Sequence, residues 1–169
     1  MKNVKELART MANQCPAMRA RQMSRILSSI FDAELRPLGL QVSQLPLLLA
    51  TAILGDLGIP LGALARALVM DPTTLTRKVR PLEKVGYVRM ARDPADARTR
   101  LVILTREGER IVESAYPLWQ RALAKAEATY GARRLAGLRA EMTPIVAAVG
   151  GFTGAAAAKR PRTSRGPRG

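Results

Sequence analysis

Histidine is absent from this sequence, cysteine occurs once, aromatic residues make up 4%, and 13 acids face 28 lysines and arginines. Without histidine the commonest general base and metal ligand is missing, so ordinary hydrolase and zinc chemistry are not expected. The single thiol, Cys15, rules out an internal disulfide framework. Neither a Gly-rich phosphate loop nor a pair of carboxylates beside a nucleophile is present, and the expectation is a protein that is no enzyme and holds no metal or cofactor. So few aromatics leave few platforms on which unpaired bases stack, which argues against an RNA or single-strand binder. Long apolar runs are also missing. No stretch reaches the roughly 20 residues that span a bilayer, and the charged start from Lys2 to Arg9 is followed by no apolar core of a signal peptide. A soluble, cytoplasmic chain with no membrane partner is the expectation.

Positive charge is what the sequence has in excess. A net +15 and a pI near 11.4 point to a polyanionic partner. The stretch TGAAAAKRPRTSRGPRG, 153–169, carries Lys159, Arg160, Arg162, Arg165 and Arg168 without an acid and with little to bury, and it reads as a disordered basic tail. Taking those five charges from +15 leaves +10, so the folded part is basic too. At 169 residues the chain fits one domain, expected over 1–152, able to bury roughly two thirds of its unfolded surface.

Apolar residues at helical spacing from Met23 to Leu35 predict a first helix over 16–35, closed by Pro37 and Gly39. A second, over about 43–54, is apolar on several sides through Leu45, Leu48, Leu49 and Ile53 and is expected to be buried; Gly55 to Gly58 stops it. Pro60 opens a short helix with Leu61, Leu64, Ala65 and Leu68 on one face. Only Val69-Met70 separates it from MDPTTLTRKVRPLEKVG, 70–86. Asp71 before Pro72 is a helix start, while Pro81 inside the helix predicts a kink. Leu75, Val79 and Leu82 form a packing stripe, and Thr73, Arg77, Arg80 and Lys84 form a second stripe with no apolar member. Two helices joined by so short a turn make a helix-turn-helix. Then the period changes to two: 87–92 and 99–104 predict a hairpin around the basic tip Asp93 to Arg98. Two further helices follow, over about 105–128 with Pro117 inside it and about 132–149. The sum is a mainly α fold of about six helices with a small two-stranded β-wing.

Side chains near the N-terminal part of a helix laid in the major groove can read base edges, and Thr73, Thr74, Arg77 and Lys78 occupy that part. Arg98 and Arg100 at the hairpin suit minor-groove or phosphate contacts, and Asp96 is expected to orient Arg98. Standing alone, the stripe would be an ordinary solvated face. Between a short turn and a basic hairpin it favours double-stranded DNA.

The run ALARALVMDPTTLTRKVRPLEKVGYVRMARDPADARTRLVILTREG, 63–108, resembles the winged helix-turn-helix of MarR-family transcriptional regulators. Asp96, Arg98, Leu104 and Thr105 fall on that family's D-x-R-x(5)-L-T wing signature. The resemblance implies a DNA-binding lobe over about 43–105 and dimerisation helices over about 15–38 and 106–150. It further implies a homodimeric regulator, more often a repressor, on a palindromic site, and in many relatives a small aromatic ligand that releases DNA. Trp119 then serves core or dimer packing. Val69 departs from the pattern, since Gly is frequent in that turn; a positive φ there would strain Val. Cys15 stands where one branch of the family oxidises a cysteine, but the tyrosines that hold that thiolate are Arg19 and Ser29 here. A packed or idle thiol and a sensor with a lowered pKa both remain open. The alternative to a specific regulator is a non-specific basic nucleic-acid-binding or nucleoid/RNA-associated protein.

Overall fold

A computed structural model of the chain describes residues 3–55 and 57–154, so the residues from 155 onward, most of the expected basic tail, lie outside the described ones. In chain order the elements are α1 (Val4–Gln14), α2 (Pro16–Leu35), α3 (Leu45–Leu54), β1 (Ile59–Pro60), α4 (Leu61–Ala67), α5 (Pro72–Lys84), β2 (Val88–Arg92), β3 (Arg100–Leu104), α6 (Arg106–Tyr130) and α7 (Ala132–Ala148). Among the described residues, seven α-helices and one small three-stranded antiparallel sheet stand where about six helices and a two-stranded wing were expected. Among the described residues no single helix is long and apolar enough to cross a membrane.

The extra helix, α1, starts at a capping box. The Asn3 side chain accepts from Lys5 N–H, and Glu6 returns to the Asn3 amide. The extra strand is two residues long. Ile59 pairs with Val102 and Pro60 with Leu101, giving the order β1-β3-β2. Pro60 lacks an N–H and is tolerated because it lies on an edge strand; two residues are too few for an alternating signature.

The chain forms two compact units. One holds the sequence up to Leu45 with Glu113–Leu138; the other holds Pro46–Val112 with the stretch from Arg139 onward. In the first, Leu35, Leu40, Ala115, Leu118, Ala122 and Ala126 are buried. Glu34 of α2 receives Arg121 Nε at 3.2 Å and the Lys125 ammonium, which ties α2 to α6. Those two donors, Lys125 foremost, hold the Glu34 carboxyl below the usual carboxylate range. Trp119 is no core residue: it is 37% exposed and stacks on Tyr116 with ring centroids 6.1 Å apart.

In the second unit Leu64, Leu75, Val79, Leu82 and Val102 are completely buried, each worth roughly 1.5–3 kcal/mol as removed apolar surface. Burial of α3 is one-sided. Leu47, Leu48 and Ala50 are inside, and the buried Thr51 hydroxyl donates to Leu47 C=O at 2.8 Å, whereas Leu49 and Ile53 are exposed. Helix α5 passes through Pro81 as one continuous element. Pro81 lacks the N–H that would serve the Arg77 carbonyl one turn back.

Candidate nucleic-acid interface

The two helices of the lobe end in the same way. At α5, Gly86 N–H donates to Glu83 C=O at 3.0 Å and Tyr87 N–H to Leu82 C=O at 2.9 Å, with Gly86 at φ 81. At α4, Val69 N–H donates to Arg66 C=O at 3.0 Å and Met70 N–H to Ala65 C=O at 2.9 Å. Both are Schellman turns, which place one residue in the left-handed region. In α4 that residue is Val69, at φ 51 the one positive-φ residue other than glycine among those described. The strain anticipated at this turn is present.

From that turn the chain enters α5. Asp71 Oδ1 accepts from Thr73 N–H at 2.8 Å and Thr74 N–H at 3.2 Å, a cap worth about 0.5–2 kcal/mol, and Pro72 fills the first helical position. With Leu75, Val79 and Leu82 buried, the opposite face is turned outward. Thr73, Thr74, Arg77, Arg80 and Lys84 are exposed, and Lys78 is half-buried. Pro72, Thr73, Thr76, Arg77 and Arg80 line one shallow groove of about 300 Å³. Thr76 was not foreseen as part of this surface, although it lies three residues after Thr73 and one before Arg77, on the same helical face. Its hydroxyl donates back to Pro72 C=O at 2.8 Å, which leaves its methyl group for apolar contact.

The wing is built from this helix outward. Glu83 Oε1 accepts from Met90 N–H at 3.0 Å, joining α5 to β2. Thr105 Oγ1 donates to Gly86 C=O at 2.5 Å and accepts from Gly108 N–H at 3.0 Å, so one side chain joins the end of α5 to the start of α6. That is the physical content of the final Thr in the wing signature. At the tip, Asp96 Oδ1 accepts from Arg98 N–H at 3.0 Å and Oδ2 from Thr99 Oγ1 at 2.9 Å, while Asp93 N–H donates to Thr99 C=O at 2.9 Å. Asp96 thus holds Arg98 by its backbone and makes no ion pair with its guanidinium.

Arg98 and Arg100 are exposed, and Arg100 stands directly across the ladder from Arg92, also exposed. Like charges directly opposite on neighbouring strands destabilise a hairpin. Among the described residues the three ion pairs involve Glu107–Arg110, Glu34–Arg121 and Glu34–Lys125, so Arg77, Arg80, Arg92, Arg98 and Arg100 have no carboxylate partner. Arg92 was missed in the sequence, where it reads as one more exposed strand residue; only the register puts it beside Arg100. Cys15, half-buried at the junction of α1 and α2, belongs to the other compact unit.

A helix presenting cations and threonines, followed by a hairpin on which Arg89, Arg92, Arg98 and Arg100 have no carboxylate partner among the described residues, makes a winged helix-turn-helix. Residues 38–99 match the model of the MarR family. Transcriptional regulator HosA of Escherichia coli O111:H- is 43% identical over 67 residues, 40% of this chain and 50% of HosA. The chain thus aligns with about half the length of the curated relatives it matches. Among solved structures, CouR from Rhodococcus jostii RHA1 bound to p-coumaroyl-CoA superposes with a TM-score of 0.65 at 19% identity, over 79% of this chain and 92% of CouR. Reduced AbfR bound to DNA superposes with a TM-score of 0.59 at 24% identity, over 83% of this chain and 98% of AbfR. At these identities the two structures establish the fold. HosA is a transcriptional regulator.

Proposed function

We propose that the chain is a sequence-specific regulator of transcription that binds double-stranded DNA as a homodimer on an imperfect palindrome, acting as a repressor. The observation that carries this is the groove on α5, where Thr73, Thr76, Arg77 and Arg80 stand together without a neutralising carboxylate. Arg donates to both acceptors of a guanine edge, and a threonine methyl packs on thymine. Thr74 and Lys78 support the same end of the helix, Lys84 its far end, and Arg98, Arg100 and Arg92 supply phosphate or minor-groove contacts from the wing. The stacked pair Tyr116 and Trp119, exposed on α6, and the exposed Ile145 and Val149 of α7 region suit burial against a second copy. Release by a small aromatic molecule is part of the proposal; its support is the fold shared with ligand-bound CouR. Cys15, a free half-buried thiol at the N-cap of α2, is not part of the proposal.

Footprinting on the promoters of neighbouring genes tests the proposal. Two protected half-sites centred about one DNA turn apart are expected, with duplex DNA bound in preference to single-stranded DNA and RNA at equal salt. Equal, sequence-blind binding to all three would instead identify a non-specific basic nucleic-acid-binding protein.

A further inference from the structure

The end of α4 is closed by more than its own turn. Leu64 C=O accepts from Leu68 N–H at 3.0 Å, Ala65 C=O from Met70 N–H at 2.9 Å and Arg66 C=O from Val69 N–H at 3.0 Å. These bonds leave Ala67 C=O as the last orphan carbonyl of the helix. It accepts from Phe152 N–H at 2.6 Å, in the segment that follows α7. The matching carbonyl of α5, on Lys84, takes no such backbone donor among the described residues, although the two turns are otherwise alike. Helix α7 itself ends in a third Schellman turn, in which Gly150 N–H, with Gly150 at φ 75, donates to Ala147 C=O at 2.9 Å and Gly151 N–H to Val146 C=O at 2.9 Å. A Cβ on Gly151 would lie 2.5 Å from Val146 Cγ1, 2.8 Å from Val146 O and 3.0 Å from Val69 Cγ2, so glycine alone lets the chain pass between the end of α7 and Val69. The segment therefore meets the turn between α4 and α5 at two points, the Val69 side chain and the Ala67 carbonyl, all within one compact unit.

A β-branched residue at φ 51 persists only where its surroundings over-determine it; released, Val69 would relax toward negative φ. That relaxation would redirect the chain just before Pro72, the first residue of α5, and with it Thr73, Thr76 and Arg77. We propose that Gly151 and Phe152 are positioning residues for DNA reading: they hold the turn between α4 and α5 in its left-handed form and so fix the direction in which α5 leaves it. The inference rests on the DNA-binding function proposed above and adds to it two residues that lie outside the helix-turn-helix and the wing. They act through Ala67 and Val69, not on a base.

The test is a double-mutant cycle in the full chain, read as the ratio of operator to scrambled-duplex affinity across a salt series. Phe152→Pro deletes the bonding N–H and should lower the ratio roughly tenfold, the loss of about one bidentate base contact. The salt slope should not change, because phosphate contacts carry no sequence information. Adding Val69→Gly, which takes up the left-handed turn unaided, should return the ratio to within about twofold of the wild type. A merely structural role would weaken both duplexes alike and would not be repaired at Val69. Should the proline variant fail to fold, the wild type decides: in the absence of DNA its Phe152 amide should exchange with solvent at least about tenfold more slowly than in a free peptide. A ratio unchanged by Phe152→Pro, a loss that Val69→Gly does not repair, or free exchange at the Phe152 amide overturns the positioning role and leaves the regulator function standing. A wild-type chain with no preference for operator over scrambled duplex overturns both.

Discussion

Among the described residues, Val69 occupies the one left-handed backbone position that glycine does not fill. A β-branched side chain there carries roughly 1–2 kcal/mol of strain, and glycine would remove it at an entropic cost of about 0.5–1 kcal/mol. Val69 is also 60% exposed, so little packing would be lost beyond its contact with the Gly151 segment. Val69→Gly should therefore stabilise the protein by about 0.5–1 kcal/mol, raising the melting midpoint by roughly 1–4 °C for a chain of this size. Calorimetry checks this, and a lower midpoint would show that the contact outweighs the strain. This position was legible in advance only through the family resemblance, in which glycine is frequent at that turn, because a left-handed φ disfavours a β-branched residue. Asp96 was legible only in part: a carboxylate two residues before an arginine says that the loop is organised, and only coordinates say that the bond is to Arg98 N–H.

The bounds of α2 and α5 were readable because their signals are local: proline at the first turn, a capping side chain, apolar residues at three- and four-residue spacing. The two elements that escaped had weaker signatures. In α1 the capping box Asn3 and Glu6 precedes a charged stretch whose Val4, Leu7 and Met11 stay exposed, so no buried face announced it. β1 exists only through pairing with a strand some forty residues away, and one sequence carries no mark of that register. The tie between α2 and α6 is long-range as well, yet it yields a pH dependence. Because Lys125 and Arg121 lower the Glu34 pKa, the ionised pair stabilises the fold above the ordinary carboxylate range, and that contribution is lost as pH falls through the lowered value. Glu34→Gln should lower the melting midpoint at pH 7 and match the wild type once the pH is below the lowered pKa. Since the two cations are largely exposed, raised salt should shrink the difference at pH 7. A gap that persisted unchanged into acid would assign the loss to packing.

Taken whole, the chain's +15 charge is shared between the terminal stretch 153–169, with +5, and the rest, with +10, and it gives general attraction to polyanions without choosing among them. In the proposed function, choice comes from the groove on α5, and affinity for two half-sites from pairing of two copies. Sedimentation at micromolar concentration should accordingly report about twice 18.3 kDa; a clean monomer would leave the exposed apolar residues of α6 and α7 without their proposed cover. The most direct test of the account is the affinity of wild type, Arg77→Ala and Arg98→Ala for an operator and a scrambled duplex across a salt series. Loss of Arg77 should flatten sequence preference by roughly 1–3 kcal/mol. Removing Arg98 should weaken both duplexes alike and shallow the salt dependence by about one charge. If both variants bind like the wild type, α5 and the wing are not the surface that reads DNA.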